Sequence, residues 1–182
     1  MLTAFLSLAV VFSLFFLKDY QRDRILTFVS PGRDPLGAGY NVRQSIVAIG
    51  AGGFLGRGLS LGSQSQLNFL PEQETDFIFA VIAEELGFIG AGAVLLLFLS
   101  LLWRIWKIGQ RVGDNFASLL VAGMIFYLLS QTFVNIGMNL GIAPVAGIPL
   151  PLISYGGSSL VASFLAVGLV ESLVIRQRTR PL

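Results

Sequence analysis

The chain has 182 residues, 54% of them hydrophobic and 12% charged, with a mean hydropathy of +0.79. Soluble domains carry about 25% charged residues, so this composition excludes an ordinary soluble domain and indicates an integral membrane protein. The net charge of +2 argues against nucleic acid as a partner, and the lack of Cys and His excludes disulfides, thiol nucleophiles and an imidazole base.

Residues 1–17 are the first predicted membrane helix, since no basic region precedes them and no small-residue cleavage site follows, as a signal peptide would require. Residues 18–76 form a large loop, read as an extracellular cap. Within it Pro31-Gly32-Arg33-Asp34-Pro35-Leu36-Gly37 carries turn signals, and 42–59 is helical in pattern before it breaks into glycines. The stretch 45–55 is too short and too glycine-rich to span, which makes it interfacial or re-entrant. Three longer apolar runs follow at 77–103, 116–138 and 153–175, each above the roughly 20 residues that cross a ~30 Å hydrocarbon core. A loop at 104–115, another at 139–152 and a tail at 176–182 complete the chain. The expectation is a single all-α membrane domain (1–182) with four transmembrane helices.

Orientation follows from the basic residues. Arg104, Lys107 and Arg111 face one acid, Asp114, and the tail carries Arg176, Arg178 and Arg180 with none. The positive-inside rule puts both segments in the cytoplasm, and so 18–76 and 139–152 outside. The long loop mixes six basic and five acidic residues over 18–75, where the rule carries little weight.

With His and Cys absent, acid–base chemistry at neutral pH falls to carboxylates. Asp76 stands where an acidic loop becomes an apolar run. Thr75 or Asp76 is either a simple N-cap or, for Asp76, a base whose proton affinity rises with partial burial. Glu72, Glu74 and Asp76 alternate, which on an extended strand puts three carboxylates on one side. Such a set is either a solvated acidic loop or a divalent-cation site, for Mg or Mn. Glu84 and Glu85 lie inside a span, some 12–14 Å below Asp76 on a continuous helix. Gln131, Asn135 and Asn139, four apart on one face, are their expected partners, in a structural polar seam or along a substrate path. Ser154, Tyr155, Gly156, Gly157, Ser158 and Ser159 open the last helix, either as a phosphate site or as close packing by small residues.

These segments together resemble the SEDS family, the RodA/FtsW proteins of bacterial cell-wall synthesis. The resemblance is carried by Asp34-Pro35-Leu36-Gly37-Ala38-Gly39-Tyr40, Ala48-Ile49-Gly50-Ala51-Gly52-Gly53, Phe69-Leu70-Pro71-Glu72 and Thr75-Asp76-Phe77-Ile78-Phe79-Ala80-Val81. It continues through Glu84-Glu85-Leu86-Gly87, Asn135-Ile136-Gly137-Met138 and Pro149-Leu150-Pro151-Leu152-Ile153-Ser154-Tyr155-Gly156-Gly157-Ser158-Ser159. Gln64-Ser65-Gln66-Leu67-Asn68-Phe69-Leu70-Pro71 is closer in wording to RodA, the elongation member.

The resemblance implies a peptidoglycan glycosyltransferase of the inner (plasma) membrane that polymerises lipid II for elongation and rod shape. Asp76 would be the catalytic base, with Glu72, Glu74 and Thr75 beside the substrate and a possible divalent cation at the pyrophosphate. Lipid II, undecaprenyl-pyrophosphate-linked glycan, membrane lipids and a class B penicillin-binding protein are the implied partners. A lipid-linked precursor transporter using Glu84 and Glu85, or a noncatalytic transpeptidase scaffold, are the alternatives. Two departures stand out. The family has about ten transmembrane helices, so this chain corresponds to the C-terminal portion of that bundle. Glu74 occupies a position where the family usually has His.

Overall fold

The computed structural model describes residues 18–30, 37–62, 64 and 69–178. The predicted helix 1–17, most of the turn segment 31–37 and the tail residues 179–182 lie outside the described residues, and so therefore does the fourth span. The described residues form five helices: α1 (Asp19–Val29), α2 (Ala38–Gly52), α3 (Ile78–Arg111), α4 (Asn115–Asn139) and α5 (Gly157–Arg178). Three segments, α3, α4 and Gly157–Ile175 of α5, are long and apolar enough to cross a membrane. In their most apolar windows only 17%, 22% and 17% of residues are buried, which leaves their flanks to lipid or to other helices. The chain is an all-helical membrane protein over its described residues.

The apolar runs end where their chemistry changes, but not always where hydropathy alone suggests. α3 continues past residue 103 to Arg111, so Arg104 and Lys107 lie on helical turns and the α3–α4 link is only 112–114. The Trp103 and Trp106 rings sit 5.1 Å apart, and Lys107 Nζ lies 5.1 Å above the Trp103 ring. Such amphipathic side chains carry a helix through the polar boundary of a bilayer. Asp114 caps α4 by accepting from the Phe116 N–H at 3.2 Å. α5 starts at Gly157 rather than at 153, because the chain around Pro151 is folded into turns that bond the N–H groups of Ile153 and Ser154 back to the Leu150 carbonyl.

α2 ends at Gly52 and its glycine-rich continuation docks against a break in α3. Gly87 interrupts α3 with φ 68° and ψ −166°, a conformation reserved in practice for glycine. The groups freed by the break find partners in the loop: Arg57 and Gly58 N–H donate to the Glu84 and Glu85 carbonyls at 3.0 Å each. Across the break, Phe88 and Ile89 N–H donate to the carbonyls of Gly53 and Phe54 at 2.8 and 3.3 Å. Irregular backbone is tolerated in an apolar setting only when paired in this way. A Cβ at Gly52 would collide with the Ala83 carbonyl, and one at Gly56 with the Glu85 carbonyl. The glycines therefore permit a backbone-to-backbone approach.

Two apolar clusters seat this end of the bundle. Ala48 of α2 packs with Leu70, Phe77 and Ala80, while Phe79, Ala83, Ala91 and Phe98 of α3 pack with Leu150. A third cluster, Ile105, Val121, Leu128 and Val170, joins α3, α4 and α5 at the other end.

Candidate functional site

The acidic segment before α3 is a turn, not the extended strand expected from its alternation. Glu72 has φ 54°, and its carbonyl accepts from the N–H groups of Thr75, Asp76 and Phe77 at 3.2, 3.1 and 3.2 Å. Thr75 Oγ1 donates to Glu72 Oε2 at 2.9 Å. The three carboxylates are thus not aligned, and no group of three or more acidic side chains among the described residues converges as metal ligands. This donor set does not fit a divalent cation. Nor does Thr75 or Asp76 cap α3: the N-cap is Phe77, whose own side chain makes no capping bond. A shallow groove of about 320 Å³ runs along Leu70–Thr75, with Glu72, Gln73 and Glu74 on its wall.

The backbone at Asp76 and just before it is held from two sides. Its carbonyl accepts from Asn135 Nδ2 at 2.9 Å and Asn139 Nδ2 at 3.0 Å. Asn135 Nδ2 also donates to the Ile148 carbonyl at 2.8 Å, and Asn139 Nδ2 to the Asn135 carbonyl at 2.8 Å. Asn139 Oδ1 accepts from Ala80 N–H at 3.1 Å, and Ser45 Oγ of α2 donates to the Asn139 carbonyl at 2.7 Å. On the other side, Tyr155 N–H donates to the Glu74 carbonyl at 2.8 Å, and Ser154 Oγ donates to the Thr75 carbonyl while accepting from Leu150 N–H. The acidic turn, the 146–155 loop and the C-terminal end of α4 are one hydrogen-bonded unit.

The Asp76 carboxylate itself is half-buried. A Cβ on Gly147, which is at φ 67°, would stand 3.5 Å from Asp76 Oδ2 and 3.9 Å from Arg24 Nη2, so carboxylate and guanidinium flank one glycine. Arg24 reaches this place from α1 and donates from Nη1 to the Ala146 carbonyl at 2.9 Å. Burial raises the Asp76 pKa above its ordinary value, the Glu72 charge raises it further, and Arg24 opposes both. Asp76 therefore holds a proton more readily than a free aspartate. Arg24 is the neighbour that sequence reasoning did not single out; its signal was one basic residue in a mixed-charge helix, too common to stand out.

The other predicted residues divide by role. Glu84 is fully buried, and its Oε1 accepts from Gln64 N–H at 2.9 Å; Glu85 Oε1 accepts from Ser60 N–H at 3.1 Å. Their expected partners Asn135 and Asn139 are committed to Asp76 instead, and Gln131 Oε1 is buried with no partner among the described residues. The glutamates turn instead to the loop after α2, whose Ser60 and Gln64 N–H groups need acceptors. Ser154 is buried and its hydroxyl is occupied by the Thr75 carbonyl and the Leu150 N–H, which leaves the packing reading for this residue rather than the phosphate one. Tyr155 is 75% exposed, and Gly157 to Ser159 form the first turn of α5.

An all-helical membrane bundle that presents a half-buried carboxylate on a hydrogen-bonded turn at one end of its spans describes the class of this protein. Comparison then gives the family. Residues 1–179 match the family model of the FtsW, RodA and SpoVE cell cycle proteins, and the chain belongs to this SEDS family, on its RodA-like side. It is 49% identical over 159 residues to the peptidoglycan glycosyltransferase MrdB of Escherichia coli K12, covering 87% of this chain and 43% of that protein. It is 45% identical over 161 residues to the peptidoglycan glycosyltransferase RodA of Treponema pallidum, covering 88% of this chain and 37% of that one. A solved peptidoglycan synthase complex that coordinates polymerization and crosslinking matches all of this chain and 50% of its own, at 35% identity and TM-score 0.77. The rod shape determining protein RodA of Thermus thermophilus matches 60% of this chain and 36% of its own, at 42% identity and TM-score 0.54. The chain thus spans less than half the length of the curated relatives it matches.

Proposed function

We propose that this chain carries the catalytic end of a peptidoglycan glycosyltransferase that polymerises lipid II, with Asp76 as general base. The observation that carries the reading is the half-buried Asp76 carboxylate, made more basic by burial, in a chain without His or Cys that belongs to a family of peptidoglycan glycosyltransferases. In the reaction, the 4-hydroxyl oxygen of an acceptor sugar forms a bond to the anomeric carbon of a lipid-linked donor. The bond from that carbon to the pyrophosphate oxygen breaks with its electron pair, undecaprenyl pyrophosphate departs with inversion, and the hydroxyl proton passes to Asp76.

The surroundings support the assignment of parts. The Leu70–Thr75 groove, with Glu72, Glu74 and Thr75, is the place for sugar hydroxyls, and Tyr155 is tied to it through its N–H bond to the Glu74 carbonyl. Asp76 and the 139–152 loop face outward, the 112–114 link faces the cytoplasm, and the protein resides in the bacterial inner membrane. A class B penicillin-binding protein is the partner that crosslinks the product, in keeping with the synthase complex that this chain resembles. The transport alternative needs Glu84 and Glu85 along an open path, whereas both accept bonds from a packed loop.

The test is glycan-chain formation from purified lipid II by the full-length gene product. Asp76→Asn keeps the shape of the side chain and removes the base. The turnover rate is expected to fall by about 10²–10⁴-fold. Normal polymerisation by that variant would remove Asp76 from the mechanism.

A further inference from the structure

We propose that Asn139, assisted by Asn135, is a positioning residue for this reaction: its carboxamide is spliced into the first turn of α3 and holds Asp76 off the helix. The proposal rests on the reading of Asp76 as the base.

In a helix that began one turn earlier, the Asp76 carbonyl would accept from the N–H of Ala80, four residues on. Here the Asn139 side chain stands between them, with Nδ2 donating to the Asp76 carbonyl at 3.0 Å and Oδ1 accepting from Ala80 N–H at 3.1 Å. One helical hydrogen bond has been replaced by two that pass through a side-chain amide. Ala80 N–H turns in addition to the Phe77 carbonyl at 3.0 Å, so the first turn of α3 closes on Phe77 and leaves Asp76 outside it.

Asn135 adds the second constraint. One amide nitrogen bonds both the Asp76 carbonyl and the Ile148 carbonyl, which fixes the acidic turn against the loop that carries Gly147. Arg24 bonds the same loop at Ala146. The carboxylate, the guanidinium and Gly147 are therefore registered to one another through backbone, with Asn135 and Asn139 fully buried beneath them.

Stability alone does not call for this detour. Letting the helix continue would satisfy the Asp76 carbonyl and the Ala80 N–H with no buried amide, and burying two amides requires that every donor be matched. Both hydrogens of each amide are matched, which makes the arrangement rigid. A base must come within about 2.6–3.2 Å of the proton it takes, and a misplacement of about 1 Å costs on the order of 10²-fold in rate. Holding Asp76 off the helix is the property that the two asparagines add.

Two variants of Asn139 in the full-length gene product test this, assayed with purified lipid II and normalised to the lipid II-binding fraction. Asn139→Leu allows the first turn to close between Asp76 and Ala80. Asn139→Asp is nearly isosteric, keeps the acceptor for Ala80 N–H and loses the donor to Asp76, and it decides the matter if the leucine variant does not fold. The expected result is a fall of about 10²-fold in kcat with the KM for lipid II unchanged. An unchanged kcat, or a change confined to KM, overturns the proposal. Alongside them, Asp76→Asn separates the two failures. If it is inactive while the Asn139 variants are fully active, only the positioning role falls; if it polymerises normally, the base assignment falls and the positioning role with it.

Discussion

Three influences meet at the Asp76 carboxylate: burial and the Glu72 charge raise its pKa, and Arg24 lowers it. A base works in its ionised form, so activity falls as pH drops through the raised pKa, and the acid limb of the rate profile sits above the ordinary aspartate value of 3.8. The neighbours then give shifts of opposite sign. Glu72→Gln removes a negative charge, makes the ionised form easier to reach and moves the acid limb to lower pH. Arg24→Gln removes a positive charge and moves it to higher pH. Each shift is expected to reach at most about 0.7 pH unit, the equivalent of ~1 kcal/mol for a solvent-screened pair. The measurement is kcat/KM for lipid II polymerisation against pH in the two variants. Shifts of the same sign would show that Asp76 is not the group being titrated.

At the scale of the element, the informative feature is the docking of the α2 glycine tail onto the broken α3. Gly50 and Gly52 lie two residues apart in α2 and predict opposite outcomes. A Cβ on Gly50 meets nothing within 4 Å, so Gly50→Ala is expected to stabilise by up to about 1 kcal/mol through helix propensity. A Cβ on Gly52 strikes the Ala83 backbone, and Gly52→Ala is expected to cost about 1–3 kcal/mol. Thermal unfolding in detergent distinguishes them, and equal melting temperatures would mean that α2 and α3 do not approach so closely. The long helices were legible because an apolar run of 20 or more residues has few other solutions. The glycine pattern likewise announced a short helix followed by irregular chain. The break at Gly87 was not legible, since Glu85-Leu86-Gly87-Phe88-Ile89 reads as one helical run and only the docked loop supplies the missing partners. The place of Asp76 before a helix was readable, whereas the bond partners of Asn135 and Asn139 were not. A carboxamide donates and accepts equally well, and tertiary packing chose the Asp76 carbonyl over the neighbouring glutamates.

At the scale of the whole molecule, the geometry ties the site to one side of the membrane. Tyr155 N–H bonds the Glu74 carbonyl, so whichever side receives the 146–155 loop also receives Asp76. α3 and α4 are each long enough to cross, and the 112–114 link between them must emerge on the opposite side. Arg104, Lys107 and Arg111 on the last turns of α3, with the Trp103–Trp106 pair beside them, are the basis on which we propose a cytoplasmic place for that link. These 182 residues contain no Cys, so a thiol introduced among them, with any Cys elsewhere in the gene product replaced by Ser, makes the arrangement directly measurable. Tyr155→Cys replaces a side chain that is 75% exposed, and Gly113→Cys replaces a residue whose Cβ would meet nothing within 4 Å. A membrane-impermeant maleimide is expected to label position 155 in intact cells whose outer layers have been opened, and position 113 only after the inner membrane is permeabilised. The reverse pattern would put Asp76 in the cytoplasm, where a polymerase of exported lipid-linked sugars finds no substrate. Labelling of both positions in intact cells would mean that α3 does not span.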